Sequence, residues 1–186
     1  MRKQIYSTIA GLGLLGGTAF SHLESNTEAL EEQLIRHEGY KTNRYYDTKG
    51  IPTIGVGFNL TRPDASNLVQ KVGADYTKVL DGKQALNDVQ IKYILSQDIA
   101  NAVKDAKKIV KSYDNQPTQV QEIIVNMTFN LGSAGFRKFK KTISAIEARD
   151  YETASKEMEN SNWYNQVGNR SKELVNKMRT VQKNQN

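Results

Sequence analysis

The stretch HEGYKTNRYYDTKGIPTIGVGF, from His37 to Phe58, brings Glu38, Asp47 and Thr53 into one short span of chain. Two carboxylates and a hydroxyl are side chains of acid–base chemistry. Carboxylates on either side of a sugar–sugar bond can cleave it, one giving a proton to the leaving oxygen and the other activating water or attacking directly. The chain carries 20 Asp and Glu residues, so a pair nine positions apart also arises easily by chance. Spacing by itself leaves a glycosidase and a pair of ordinary surface acids both open.

Composition narrows the chemistry. Cysteine is absent and histidine is limited to His22 and His37. A disulfide framework and a thiolate metal site are therefore excluded, and a metal-centred mechanism is not expected. A hydrophobic content of 38% and a charged content of 25% over 186 residues suit one folded domain, or two small lobes around a shared core. The net charge of +6 favours an anionic partner. Nucleic acid, anionic lipid and bacterial cell-wall polymer all meet that description.

The acids must be positioned by the elements around them. Ser25 and Glu28 match a capping box ahead of Leu30, Leu34 and Ile35 at helical spacing, which predicts a helix over 25–38 stopped by Gly39. Glu38 then sits at a helix C-terminus, where the macrodipole disfavours negative charge. That suits a proton donor and costs a surface glutamate little. RYYDTKGIPTIGVGF reads as a hairpin, with strands at Tyr45–Asp47 and Thr53–Phe58 around a turn at Thr48–Gly50. Gly55 and Gly57 inside the second strand mark close approach of another group. An irregular stretch punctuated by Pro63, Gly73 and Gly82 follows.

From Asn87 the residues Ile91, Leu95, Ile99, Ala102, Ala106 and Ile109 recur at spacings of four and three, the pattern of a long amphipathic connector helix. Thr118 and Gln121 match a second capping box, and VQEIIVNMTFNLG after them is apolar nearly all round, as a buried central helix is. Three shorter helices follow, broken at Gly132–Gly135, Arg149–Asp150 and Asn160–Asn162. The expected architecture is α+β and mostly α. It has a β-containing lobe over about 40–85, a connecting helix, and a helical lobe over about 110–186 that also takes in the 25–38 helix.

The local wording adds what spacing lacks. HEG, then YYDTKG, then PTIGVGF resembles the catalytic region of the T-even phage lysozymes, with Glu38, Asp47 and Thr53 at matching spacings. NMTFNLGSAGF (126–136) resembles that family's buried helix and following turn, and NWYNQVGNRSKELVNKMRT (162–180) resembles its last helices. The blocks come in the family's order and cover about 27–180. The resemblance implies a two-lobe lysozyme fold that hydrolyses the β-1,4 bond between N-acetylmuramic acid and N-acetylglucosamine of peptidoglycan, without a cofactor. It implies Glu38 as general acid, Asp47 as the base that activates water, and Thr53 as a holder of that water. It also implies Gly57, Asn59, Phe129 and Thr142 along the saccharide cleft, and Arg170 paired with the acid.

Departures from the family pattern fall around the site. Asn59 stands where a cleft leucine is usual in the best-known member, and Glu157 where that member has a cleft asparagine. Phe58 replaces the structural histidine whose ion pair with the connector-helix acid, here Asp98, therefore cannot form. The alternative function is a peptidoglycan-binding module that kept the fold and lost catalysis. A nucleic-acid role for the basic tail NRSKELVNKMRTVQKNQN is not expected, because the tail reads more simply as a solvated helix face.

Residues 1–24 stand apart. Arg2 and Lys3 precede a span free of charge from Gln4 to Leu23 and thinned by Gly11, Gly13, Gly16 and Gly17. An export or signal-anchor leader is the expectation, with a disordered leader or a packed glycine-rich helix as the alternative. Synthesis in the bacterial host cytoplasm, transient inner-membrane association through the leader, action as a monomer on periplasmic peptidoglycan and lysis of the host complete the picture the resemblance implies.

Overall fold

Why the segment after Gly39 turns from helix to sheet is visible in one backbone angle. Gly39 takes a φ of 83°, which L side chains rarely adopt, and its N–H bonds to the carbonyl of Ile35 at 2.9 Å. The first helix, α1 (Gly17–Glu38), ends there. The computed structural model describes residues 17–183. Helix α1 runs without a break through Ser25, so the Ser25–Glu28 box does not start a helix. Residues 1–16 of the expected leader lie outside the described residues, and 17–24 belong to α1. Among the described residues no helix is long and apolar enough to cross a membrane.

A three-stranded antiparallel sheet follows, in the order β1 (Lys41–Tyr46), β2 (Pro52–Gly55), β3 (Phe58–Asn59). The expected second strand over Thr53–Phe58 is in fact two strands. Gly55 and Gly57 both take positive φ, 64° and 69°, and turn the chain between them. Tyr45 lies opposite Thr53, and Thr53 opposite Asn59. Directly opposed residues share a face, so Tyr45, Thr53 and Asn59 form one row across the sheet. Ile54 and Phe58, paired on the alternate register, are buried in the core.

The stretch read as irregular holds two short helices, α2 (Ala65–Lys71) and α3 (Tyr76–Leu80). Each is too short for its period to stand out, yet Ala65, Val69 and Val79 are buried. Helix α4 (Asp88–Ile109) then starts with a complete capping box. Asn87 accepts from the N–H of Gln90 at 2.9 Å, and the Gln90 side chain accepts from the N–H of Asn87 at 2.9 Å. Its six periodic apolar residues are all buried.

The helical part comprises α5 (Thr118–Phe136), α6 (Lys140–Glu147), α7 (Tyr151–Glu159), α8 (Asn162–Gln166) and α9 (Asn169–Lys183). Thr118 is the first helical residue of α5 rather than its cap. The capping position is Pro117, and Gln121 bonds instead to the carbonyl of Gln116 at 2.9 Å. Helix α5 packs on α1, α4 and α9, with Val120, Ile123, Ile124 and Met127 buried. At Gly132, with φ 68° and ψ 165°, the backbone leaves the helical region, so the helix breaks where the sequence places a break. The last expected helix is split into α8 and α9 by Gly168, which takes a φ of 63°. The Ser171 hydroxyl ties the two together, donating to the carbonyls of Tyr164 and Gly168 at 2.6 and 2.8 Å. The architecture is mostly α with one small sheet, as the sequence implies.

Candidate active site

Glu38 is the last residue of α1, and its carboxylate meets the first turn of α9. Its Oε1 lies 2.8 Å from Nη2 of Arg170, whose side chain is only 6% exposed. Each charge sits at the unfavourable end of its own helix, a carboxylate at a C-terminus and a cation at an N-terminus, and the pairing offsets both. On the other side of the carboxylate is Gly57. A Cβ there would stand 3.2 Å from Oε2 of Glu38, so the backbone turn of the sheet packs directly on the acid.

Asp47 is built into the turn between β1 and β2. Its Oδ1 accepts from the N–H of Lys49 and of Ile51, both at 2.8 Å, and its own N–H donates to the carbonyl of Ile51 at 3.0 Å. This Asx turn fixes the carboxylate through one oxygen. Thr53, only 3% exposed, donates its hydroxyl proton to the carbonyl of Ile51 at 2.9 Å. Its oxygen is left able to accept but not to donate.

Tyr45, in the row with Thr53, completes the cluster. Burial pushes its phenol above the ordinary range, and the negative charges of Glu38 and Asp47 add to that shift. The ring therefore lies within the field of both carboxylates. Sequence reasoning missed Tyr45, which its strand pairing opposite Thr53 places in the row with that hydroxyl.

Of the expected cleft residues, Gly57 lies against Glu38, and Asn59 stands opposite Thr53 in the sheet. The Oδ1 of Asn59 accepts from the N–H and the hydroxyl of Thr61, both at 2.7 Å. Phe129 is partly buried on α5 and packed on the core. The structure does not bring Thr142 to an open surface. It is 1% exposed, on the buried side of α6 with Ala145 and Ile146, so a saccharide contact is not available to it. Glu157 is paired with Lys141 at 3.9 Å.

Asp98 does find a partner despite Phe58. Arg62 Nη2 reaches it at 2.6 Å, the same guanidinium holds Asp64 at 2.6 Å, and its plane lies 4.4 Å over the Phe58 ring. The aromatic thus supports the cation that replaces the expected pair. Burial raises the carboxyl of Asp98, and Arg62 works against that rise.

Behind Glu38 lies a polar network absent from the sequence reading. His37 Nδ1 accepts from Nε of Arg170 at 3.1 Å, and His37 Nε2 lies 2.9 Å from Oε2 of Glu173. Gln33 donates to Oε1 of Glu173 at 2.7 Å and accepts from the buried Asn126 at 3.0 Å. Burial pushes the Glu173 carboxyl up, but hydrogen bonds from Gln33 and His37 and the adjoining positive charge hold it below the ordinary range. The available signal was Gln33 and His37, one helical turn apart beside Leu30 and Leu34, with Arg170 and Glu173 three apart on α9. Among the described residues no cluster of His, Asp and Glu could hold a metal ion.

The phage lysozyme family matches residues 35–180 of the chain. The protein named probable T4-type lysozyme 1, from Dictyostelium discoideum, is 28% identical over 160 residues, covering 82% of this chain and 94% of that one. The pre-baseplate central spike protein Gp5 of Enterobacteria phage T4 is 27% identical over 157 residues, 79% of this chain and 27% of its own length. The peptidoglycan hydrolase gp36 of Enterobacteria phage SP6 is 26% identical over 104 residues, 56% of this chain and 10% of that protein.

Proposed function

Because the chain belongs to the phage lysozyme family, we propose that it is a peptidoglycan-cleaving glycosidase in which Glu38, Asp47 and Thr53 carry the reaction. The observation that carries this reading is the junction at Glu38. A carboxylate at a helix end is held by a buried Arg170 on one side and backed by Gly57 on the other, with Tyr45 in the field of both Glu38 and Asp47. Glu38 is the general acid that protonates the leaving glycosidic oxygen.

The water is activated from the sheet. With Oδ1 of Asp47 committed to two backbone N–H groups, Oδ2 is left to accept one proton of the attacking water. The Thr53 oxygen, its own proton spent on Ile51, accepts a hydrogen bond from the other O–H of that water and takes no proton. A water held through both hydrogens presents its lone pair to the anomeric carbon, which gives inversion. Asn59, with its carbonyl oxygen used by Thr61, offers amide N–H donors to a sugar.

The bond cleaved is the β-1,4 link from N-acetylmuramic acid to N-acetylglucosamine, and a net charge of +6 suits a wall polymer bearing carboxylates. The same reading makes lysis of a bacterial host its biological outcome and residues 1–24 an export or anchor leader. It has a monomer work on periplasmic wall. The test is digestion of purified peptidoglycan, with mass analysis of the muropeptide ends and the anomer read by NMR before mutarotation. New reducing N-acetylmuramic acid ends in the inverted configuration are expected. Glu38→Gln should lower the rate by about 10²–10⁴ with the fold intact. Ends other than reducing N-acetylmuramic acid, or a folded Gln variant keeping more than about a tenth of the rate, would overturn the assignment.

A further inference from the structure

We propose that His37 and Glu173 are positioning residues for Arg170, and that a neutral imidazole carrying its proton on Nε2 is what holds the guanidinium against Glu38. The consequence for catalysis depends on the glycosidase reading above, whereas the geometry stands apart from it.

The tautomer is set from both sides. A guanidinium only donates, so Nδ1 of His37, 3.1 Å from Nε of Arg170, accepts and carries no proton. The amide nitrogen of Asn126, 3.4 Å from the same Nδ1, is a second donor aimed at that atom. An ionised carboxylate only accepts, so Nε2, 2.9 Å from Oε2 of Glu173, carries the hydrogen. Gln33 and Arg36 secure the other oxygen of Glu173 at 2.7 and 3.2 Å. The links run Glu38, Arg170, His37, Glu173, alternating between α1 and α9.

What the imidazole does follows from its place in that order. Glu173 is three residues from Arg170 on the same helix, a spacing at which opposite charges pair, and so is a rival anion for its guanidinium. A neutral ring between them satisfies both without letting them meet, which leaves Nη2 of Arg170 to Glu38. Water cannot stand in readily, because the His37 and Arg170 side chains are 7% and 6% exposed. Protonating Nδ1 would set donor against donor and a second cation against the first. The charged groups facing His37 are Arg36 and Glu38 from α1 and Arg170 and Glu173 from α9, while α5 contributes the uncharged Asn126.

The test uses the full chain and purified peptidoglycan. His37→Phe keeps bulk and loses both hydrogen bonds, whereas His37→Asn keeps an acceptor for Arg170. A folded Phe variant is expected to lose at least about 10-fold in kcat, as a misplaced catalytic group does, with little change in KM. The alkaline limb of its pH–rate profile, where the proton donor is lost, should move upward, as is also expected of Arg170→Leu, because a displaced or absent guanidinium no longer favours the ionised donor. The Asn variant should recover most of the rate and the wild-type profile. In the Arg170→Leu background, His37→Phe should cost no more than about two-fold, because it acts through a group already gone. Additive losses, a Phe variant as fast as wild type, or an Asn variant as slow as Phe would each overturn the proposal. If the Phe variant fails to fold, ¹⁵N NMR of wild-type His37 decides, with Nε2–H and a bare Nδ1 at neutral pH expected and a protonated Nδ1 overturning it. A wild-type chain inactive on peptidoglycan sinks the glycosidase reading alone and leaves that spectrum to judge the relay.

Discussion

At the residue scale, the site depends on contacts that leave almost no room. Gly57 is the clearest case. Its φ of 69° lies in the left-handed region, and a Cβ there would stand 3.2 Å from Oε2 of Glu38. Gly57→Ala therefore meets two penalties at once. The backbone strain costs about 1–2 kcal/mol, and the methyl presses on the carboxylate proposed as proton donor. Thermal unfolding should show a loss of that order, and the rate on peptidoglycan should fall more than stability does. An Ala variant with wild-type activity would mean that the Glu38 carboxylate is free to move away without consequence. Much at this scale was legible in the sequence, because Glu38, Asp47 and Thr53 sit in words whose glycines and aromatics set the local geometry. The His37–Glu173 link was not, because helical spacing places Gln33 with His37 and Arg170 with Glu173 but does not say that the two helices meet.

At the element scale, the sheet is tied to the connector helix by an arrangement that the Phe58 substitution alone would misrepresent. Phe58 cannot form an ion pair with Asp98, but Arg62 reaches that carboxylate from the loop after β3 and lies over the Phe58 ring. Burial raises the Asp98 carboxyl, and the Arg62 guanidinium opposes that rise. Arg62→Met should destabilise the fold by about 2–3 kcal/mol at pH 7, less than a fully buried pair because Arg62 keeps 26% of its surface exposed. The sign with pH follows from the raised folded value. The penalty is absent below the unfolded aspartate value, about 3.9, and grows as pH rises through the folded one. Urea unfolding of the variant at pH 4 and pH 7 measures it, and an equal loss at both would rule the pair out. Long elements were legible here and short ones were not. The connector helix declares itself through six buried residues at period. Helices α2 and α3 are under three turns each, and glycine at 55, 57 and 168 decides where strands and helices break by a positive φ that the residue type permits but does not require.

At the scale of the whole molecule, the question is what holds the first helix, which carries the acid, to the last. Helices α1 and α9 are far apart in sequence, and the bonds of Glu173 to Gln33, Arg36 and His37, together with Arg170 to Glu38, join them across the site. Catalytic geometry and global stability thus share one polar junction. Glu173 has a depressed folded value, so its contribution is complete above the unfolded glutamate value, about 4.3, and is lost as pH falls through the folded one. Glutamine at 173 keeps an acceptor for His37 but has no charge to lose. The stability gap between wild type and Glu173→Gln should therefore be constant at neutral and mildly acid pH and narrow below about pH 4. Because the carboxylate is 39% exposed, solvent screening keeps the gap small, and it is best read from paired urea midpoints along a pH series. A gap that widens on acidification, or none at neutral pH, would mean that the network positions Glu38 without bracing the fold. A gap that closes as described would make the junction an acid-labile joint, where loss of the Glu173 charge loosens the Arg170 guanidinium and the helix bearing Glu38, the proposed proton donor, together.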